Sequence, residues 1–299
     1  MNTIEYLFDP ELAPLYWPGV LAAVVVCCAL GPLSVLVVVK RLAFAGHGVS
    51  HSTFAGAGLA LLIGVAAGVG TPRGIGLDLV LLATALVAAG LVAWLGRRGR
   101  LTADASIGIV VAAAMAAGFE LHRRAGAIAS ASGAGVGRVP PLESLLFGSI
   151  LDVSFGAGLA LMLGVLAAAL AGLFIVRRRL LFWAFDPDAA MARGVRGWAM
   201  EAALLVMLAA GVTVAVRLAG VVLAGAVLVL PGAAGLERSA RLGPVLVWSG
   251  VLGGFGAAAG LVLSFELDFQ PGPSIVHVLT WMYVVSRWVS VGRKGGAAP

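Results

Sequence analysis

Long apolar runs, each about the length of a membrane-spanning helix, dominate this chain. A helix needs about 20 mostly apolar residues to cross the hydrocarbon core of a bilayer. Nine runs bounded by charged residues, Pro or Gly approach that length: Pro18–Val39, Leu42–Val69, Leu77–Leu95, Asp104–Leu121, Val153–Val176, Trp198–Val216, Leu218–Leu236, Val245–Phe265 and Pro273–Val289. The pattern predicts an all-α, polytopic membrane helix bundle. We expect eight or nine spans, because the fourth and ninth runs contain few uninterrupted apolar residues.

The Lys and Arg residues between these runs predict the orientation of the bundle. Alternating loops place 15 basic residues on one side, including Arg97 and Arg177, and 5 on the other, including Arg217. Short cytoplasmic loops are enriched in basic residues. We therefore expect an extracytoplasmic or interfacial segment at 1–17, a transmembrane domain at 18–290 and a cytoplasmic tail at 291–299.

Two connections and one interruption differ from the other boundaries. The outer connection, His122 to Pro141, is rich in Gly, Ala and Ser and predicts a flexible loop, which LESLLFGSIL follows as a surface helix. The inner connection near 185–196 predicts a short capped helix, with Asp186 as the N-cap, Pro187 as the first residue and Gly194 at the end. Pro231-Gly232 predicts a broken helix within the seventh run.

Composition narrows the classes of function. The 299 residues are 61% apolar and 11% charged, with a net charge of +6. The arginines form short clusters without interleaved aromatic residues, so we expect no nucleic-acid binding. The sequence contains neither the GxxxxGK[ST] phosphate loop nor HExxH, so we expect neither an ATPase site of its own nor a metalloprotease. Cys27 and Cys28 are neighbours in an apolar run and are interpreted as core residues.

The strongest candidate for chemistry is a pair of histidines in the second run. His47 and His51 are four residues apart, so a helix places them on one face, where two imidazoles can bind one metal ion. Small residues surround them and allow close approach to the backbone: Gly46, Gly48, Ser50, Ser52, Ala55, Gly56, Ala57 and Gly58. In the alternative interpretation, the imidazoles donate to the backbone or to Ser50 and Ser52 in a packed bundle.

The remaining polar residues carry weaker signals. His277 is alone on the ninth run; a packed core histidine is the more common case, and a pathway residue is the alternative. His122 is expected to face water, and Asp104 to cap its helix. Glu201 is expected either to pair with Arg196 or to face solvent.

Five blocks in this order resemble the permease subunits of the ABC metal-ion importers. The first is AFAGHGVSHSTFAGAGLAL, in which Gly46, Ser50, His51 and Gly56 match the family motif and His47 stands where the family commonly has Asp. The others are DASIGI at Asp104–Ile109, LLFGSIL at Leu145–Leu151, FDPDAAMARGV at Phe185–Val195 and LAGVVLAGAVLVLPGAA at Leu218–Ala234. The resemblance extends over roughly residues 18–290.

The resemblance implies a type II importer-like permease in a bacterial cell membrane. It implies a homodimer that works with cytoplasmic ATP-binding cassette subunits and an extracytoplasmic metal-binding protein. The family's coupling region corresponds to the segment containing Asp186, Pro187, Ala190 and Gly194, and its metal-site pair corresponds to His47 and His51. The transported substrate would be Zn²⁺, Mn²⁺ or Fe²⁺, with no permanently bound cofactor.

The change from Asp to His at position 47 favours zinc, because imidazole suits zinc whereas carboxylate suits manganese. A manganese or iron importer is the first alternative. A secondary metal transporter coupled to protons is the second, although the sequence lacks an evident carboxylate relay in mid-membrane. An enzyme is the least favoured class, because no nucleophile, base and oxyanion donor converge.

Overall fold

The computed structural model describes residues 3, 8–69, 74–97, 102–131 and 156–295. From Ala13 to Gly295 the described residues form ten helices and no strand, which confirms the all-α prediction. In chain order they are α1 (Ala13–Val39), α2 (Ala43–Ala66), α3 (Ile75–Arg97), α4 (Ala103–Ala131), α5 (Ala157–Phe185), α6 (Pro187–Ala192), α7 (Gly197–Val227), α8 (Leu230–Arg238), α9 (Leu242–Leu267) and α10 (Pro271–Gly295).

Among the described residues, eight segments are long and apolar enough to cross a membrane. Six lie in α1–α5 and α9, and the other two are Gly197–Leu218 and Gly220–Arg238. The fourth predicted span is therefore confirmed. The ninth forms α10 but is not among the eight, because Ser, Thr, Arg and Lys dilute its apolar residues.

Two helix boundaries differ from the predictions. Helix α1 begins at Ala13 and includes Tyr16 and Trp17, which the sequence had placed in an interfacial segment. Helix α4 continues to Ala131, so the prediction that a loop begins at His122 is wrong for 122–131. Four Ala and only one β-branched residue between 122 and 131 favour helix, and Ala125 is buried against Leu61 and Val65 of α2. The predicted surface helix at LESLLFGSIL lies outside the described residues.

The chain divides into two compact units. Unit 1 comprises Met1–Ala43, Phe147–Ser154 and Leu218–Pro299, and unit 2 comprises Phe44–Leu146 and Phe155–Arg217. In unit 1, glycines allow α1 and α9 to touch backbone to backbone, because a Cβ at Gly31 would overlap the Ser249 carbonyl oxygen and one at Gly253 would overlap that of Cys27. Small residues drive such packing in membranes, where hydrophobic burial between helices gains little.

The helix break at Pro231-Gly232 is confirmed. Helix α7 ends at Val227, and α8 begins at Leu230 with Pro231 in its first turn, where a missing amide costs nothing. Gly232 lies against the Ser34 backbone of α1, where any side chain would overlap it. The break is therefore buried in protein, as irregular backbone at membrane depth must be.

In unit 2, the glycines of α2 determine how it packs. Gly48 lies against Ile107 of α4, Gly56 against Thr84 of α3, and Gly58 against the Gly118 backbone of α4. The small residues beside the histidine pair therefore serve contacts between helices. They fix the axis and rotation of α2 and so the direction in which the histidines project.

Candidate functional site

His47 and His51 lie on successive turns of α2, near its N-terminal end. Their Nε2 atoms are 3.0 Å apart, and their ring centroids are 4.3 Å apart at an interplanar angle of 70°. His47 is exposed and His51 half-buried. The i, i+4 spacing thus brings the two Nε2 atoms together, within hydrogen-bonding distance of each other.

This convergence suits a single metal ion. In a tetrahedral zinc site, with Zn–N bonds of about 2.0–2.1 Å, two ligand nitrogens lie about 3.4 Å apart. The observed 3.0 Å differs from that value by an amount that small χ rotations can supply. No cluster of three or more His, Cys, Asp or Glu residues that could hold a metal occurs in the described part of the chain. The described residues of one chain therefore bring together two of the four ligands that a tetrahedral site would need.

The serines beside the pair do not bind the imidazoles. The Ser50 hydroxyl donates to the His47 carbonyl and the Ser52 hydroxyl to the Val49 carbonyl, each over 2.7 Å. The alternative in which these serines satisfy the imidazoles is therefore wrong. The Nδ1 atom of His51 is buried without a partner among the described residues, so the acceptor that usually orients a metal-bound imidazole is missing. Such a site is expected to bind metal weakly.

The other histidines occupy separate positions. On α10, His277 is exposed and its Nδ1 lies 2.7 Å from the Pro273 carbonyl oxygen, so Nδ1 donates and Nε2 is left as a free acceptor. His122 is half-buried, with its Nδ1 buried and unpartnered among the described residues, so it is exposed only in part, where full exposure to water was expected. The pathway role of His277 stays a prediction.

The cap predicted at Asp104 is wrong, and of the two alternatives for Glu201 the pair with Arg196 is not observed among the described residues. The Thr102 hydroxyl, not Asp104, accepts from the first-turn amide of Ala105 and caps α4. Glu201 is half-buried at the start of α7, and no ion pair joins it to Arg196 among the described residues.

The structure contains the predicted capped helix as α6. The Asp186 carboxylate accepts from the Ala189 amide over 3.0 Å, Pro187 is the first residue, and Ala190 is fully buried. Gly194 has φ +82°, a left-handed conformation that ends the helix at little cost only with Gly. The role of this segment in coupling to an ATPase stays a prediction.

Sequence reasoning missed a buried ion pair between α3 and α7. Arg217 Nε donates to Asp78 Oδ1 over 2.8 Å, and the Asp78 side chain is only 4% exposed. A signal was present: Asp78 is a lone acid inside an apolar run, and Arg217 is a lone base between two runs. Ionisable residues in such places usually pair.

Comparison with known families gives a match over nearly the whole chain. The sequence model of the ABC 3 transport family matches residues 14–290. The chain belongs to the ABC 3 transport family. Together with its eight candidate spans, this family membership makes the chain a multi-pass protein of the bacterial cell membrane.

Relatives of this ABC 3 family member are named for different metals. It is 28% identical to the manganese transport system membrane protein MntC of Halalkalibacterium halodurans, over 97% of this chain and 92% of that protein. It is 25% identical to the high-affinity zinc uptake system membrane protein ZnuB of Haemophilus influenzae, over 91% and 96%. The names of these two relatives therefore share metal transport and differ in the metal.

The fold of this family member is also seen in a solved structure. PsaBC from Streptococcus pneumoniae in complex with Fab contains a chain that superposes with a TM-score of 0.76 at 23% identity, covering 95% of this chain and 93% of that one. At this identity the likeness concerns the fold alone. It agrees with the prediction of an importer-type permease fold.

Proposed function

We propose that this chain is the membrane-spanning permease subunit of an ATP-driven importer of a divalent transition metal, with zinc as the preferred substrate. Membership of the ABC 3 transport family over residues 14–290 carries this proposal. The converging Nε2 atoms of His47 and His51 add a place where a dication can be held. The ATP is hydrolysed by separate cytoplasmic subunits.

The preference for zinc rests on the ligand type. Two neutral imidazoles supply nitrogen donors and no carboxylate, and nitrogen ligands suit zinc better than manganese. Manganese is the second candidate, because the relative MntC is named as part of a manganese transport system. Iron is the third candidate within the same family.

A homodimer would complete the ligand set. Tetrahedral zinc takes four ligands, and the described residues of one chain bring only two together. A second copy would contribute the same pair, giving four nitrogens. Without an acceptor for His51 Nδ1 in the described part of the chain, the site would bind weakly enough to release its ion, as a transport site must.

The energy and the metal come from other proteins in this proposal. A bare dication is very costly in hydrocarbon, so its path must be lined by protein. An extracytoplasmic binding protein would deliver the metal, and the ATPase subunits would act through α6. Its buried Ala190 and capped start make it a rigid element that a soluble partner can contact.

Transport by the reconstituted complex tests the proposal. The permease, the ATPase subunits and the binding protein are placed in liposomes, and nucleotide-driven uptake of zinc, manganese and iron is measured in competition. We expect uptake only with nucleotide, with zinc preferred. Uptake that needs no ATPase subunit and follows a proton gradient would instead establish a secondary transporter.

The histidine pair is tested in the same liposomes. His47→Ala with His51→Ala is expected to reduce uptake at low metal concentration by about tenfold or more, since removing a supporting group alone costs that much. His122→Ala on α4 is the matched control and should transport normally. Uptake by the double variant that equals the wild type would remove the pair from the path.

A further inference from the structure

The buried ion pair of Asp78 and Arg217 has no place in the proposed metal path. It joins α3 to α7 across 139 residues of sequence, with Asp78 4% and Arg217 26% exposed. Taking these charges out of water is costly, and a well-packed apolar pair often stabilises a fold equally well. The retention of two charges at this point requires another explanation.

The ends of the two helices show where in the membrane the pair lies. The Arg97 guanidinium lies over the Trp198 ring, 4.9 Å from its centroid, at the opposite ends of α3 and α7. Nineteen residues separate Asp78 from Arg97 and nineteen separate Trp198 from Arg217. Nineteen residues make about 28 Å of helix, close to the roughly 30 Å of hydrocarbon. The ion pair therefore lies at the membrane boundary opposite Arg97, which the predicted orientation makes the extracytoplasmic one.

The ion pair contains one of the two hydrogen bonds that these side chains can form with each other. Arg217 uses Nε alone, and Asp78 Oδ2 is buried without a partner among the described residues. A guanidinium that faces a carboxylate with two of its three nitrogens forms two parallel hydrogen bonds and binds more strongly. The single bond is weaker than the same two residues could make.

A pocket with room for about one water molecule lies beside the pair. Helices α3, α5 and α7 line it, with Leu82, Met162 and Thr213 among the lining residues. On α5, a Cβ at Gly158 would come within 3.4 Å of Asp78 Oδ2, so the bare backbone there leaves room next to the unpaired oxygen.

We propose that Asp78 and Arg217 are positioning residues for transport, which hold the extracytoplasmic end of α3 to the part of α7 before Gly220 in this conformation and separate during each transport cycle. The inference rests on the proposed function. A single hydrogen bond beside a pocket breaks more readily than two parallel hydrogen bonds. The attraction between the two charges then brings the helices back into the same register. Helix α7 leaves unit 2 directly after Arg217, and its backbone turns at Gly220, where φ is +79°. The pair therefore fixes α7 next to a natural turning point.

Replacing both charged residues by apolar ones distinguishes a role in the transport cycle from a role in stability alone. In Asp78→Leu with Arg217→Met, packing replaces the charges, and the thermal midpoint of the purified permease should stay within about 5 °C of the wild type. Turnover of nucleotide-driven metal uptake should fall about tenfold, because the replaced pair no longer opens and closes at the same rate. The half-saturating metal concentration should not change, since no ligand is altered.

Two further double variants serve as a control and as a substitute for the apolar pair. Glu120→Gln with Arg123→Gln removes an exposed ion pair on α4 (side chains 42% and 70% exposed) and should change neither quantity. If the apolar pair fails to fold, Asp78→Asn with Arg217→Gln keeps the shapes and is measured instead. Wild-type turnover in whichever pair folds would show that the charges only fasten the helices, and the inference would be overturned.

A labelling experiment separates failure of this inference from failure of the proposed function. Met162→Cys is introduced with Cys27→Ala and Cys28→Ala, and its reaction with a thiol reagent is followed in the permease–ATPase complex. Met162 is 7% exposed and lines the pocket, so nucleotide should raise its labelling rate about tenfold if the pair opens. An unchanged rate overturns the inference even if metal is transported. A raised rate supports it even if the transported substrate is another ion.

Discussion

The N-cap of α6 allows a prediction in which the outcome depends on one side-chain oxygen atom of Asp186. The Asp186 carboxylate satisfies the Ala189 amide at 3.0 Å, and α6 has only six residues. A helix this short cannot support itself, because formation of its first turn is unfavourable. We therefore expect Asp186→Ala to unfold α6 for part of the time, whereas Asp186→Asn, which keeps an oxygen acceptor, should leave it formed.

The magnitude follows from the number of bonds lost. Removing one N-cap side chain costs about 1 kcal/mol, within a range of roughly 0.5–2, and 1 kcal/mol shifts a folded-to-unfolded ratio about fivefold. The C-terminal end of α6 is unaffected, since the Gly194 amide still donates to the Met191 carbonyl and the Val195 amide to that of Ala190. The change should therefore be confined to the first turn.

Hydrogen exchange measures the effect directly. The amides of Ala189 and Ala190 should exchange about fivefold faster in the Asp186→Ala permease and at the wild-type rate in the Asp186→Asn permease. If α6 couples the permease to its ATPase, nucleotide hydrolysed per metal ion moved should rise in Asp186→Ala alone. Equal exchange in the Ala and Asn variants would refute the capping argument, and faster exchange without a change in stoichiometry would refute the coupling role.

Three further predictions concern a glycine contact between α1 and α9, an ion pair between α8 and α10, and Gly194 at the end of α6. Gly253→Ala on α9 would force a Cβ into the Cys27 carbonyl oxygen of α1, and we expect a loss of about 1–3 kcal/mol in the free energy of unfolding. The same change at Gly90 of α3, where a Cβ would meet no heavy atom within 4 Å, should be neutral or stabilise by up to about 1 kcal/mol. Equal midpoints of the two variants in detergent melting would contradict the contact at Gly253. Glu237→Gln on α8 weakens the 2.8 Å hydrogen bond from Arg287 of α10 and should lower the free energy of unfolding by about 1 kcal/mol. Urea unfolding measures this change, and Glu120→Gln, exposed on α4, is the comparison. Gly194→Ala should destabilise the end of α6 by about 1–2 kcal/mol, because its φ of +82° disfavours a side chain, and limited proteolysis within 185–196 should then be faster than in the wild type.

The sequence by itself determined the features that depend on neighbours along the chain. Apolar runs long enough to cross a bilayer predicted eight segments that the structure also contains, and Asp186 with Pro187 predicted the start of α6. The four-residue spacing of His47 and His51 sufficed to bring their Nε2 atoms together. Helix periodicity, capping and proline geometry act within a few residues, so their signals can be read without the fold.

Only the tertiary structure decided which distant residues meet. The partner of Asp78 lies 139 residues away, and no local rule selects Arg217 from the other arginines. Whether a glycine such as Gly253 receives another helix, or lies open as Gly90 does, depends on how helices pack. The rotation of α2, and so the direction in which its histidines project, depends on the contacts of Gly48, Gly56 and Gly58 with α3 and α4. These outcomes depend on packing between segments far apart in sequence, which hydrophobic patterning does not encode.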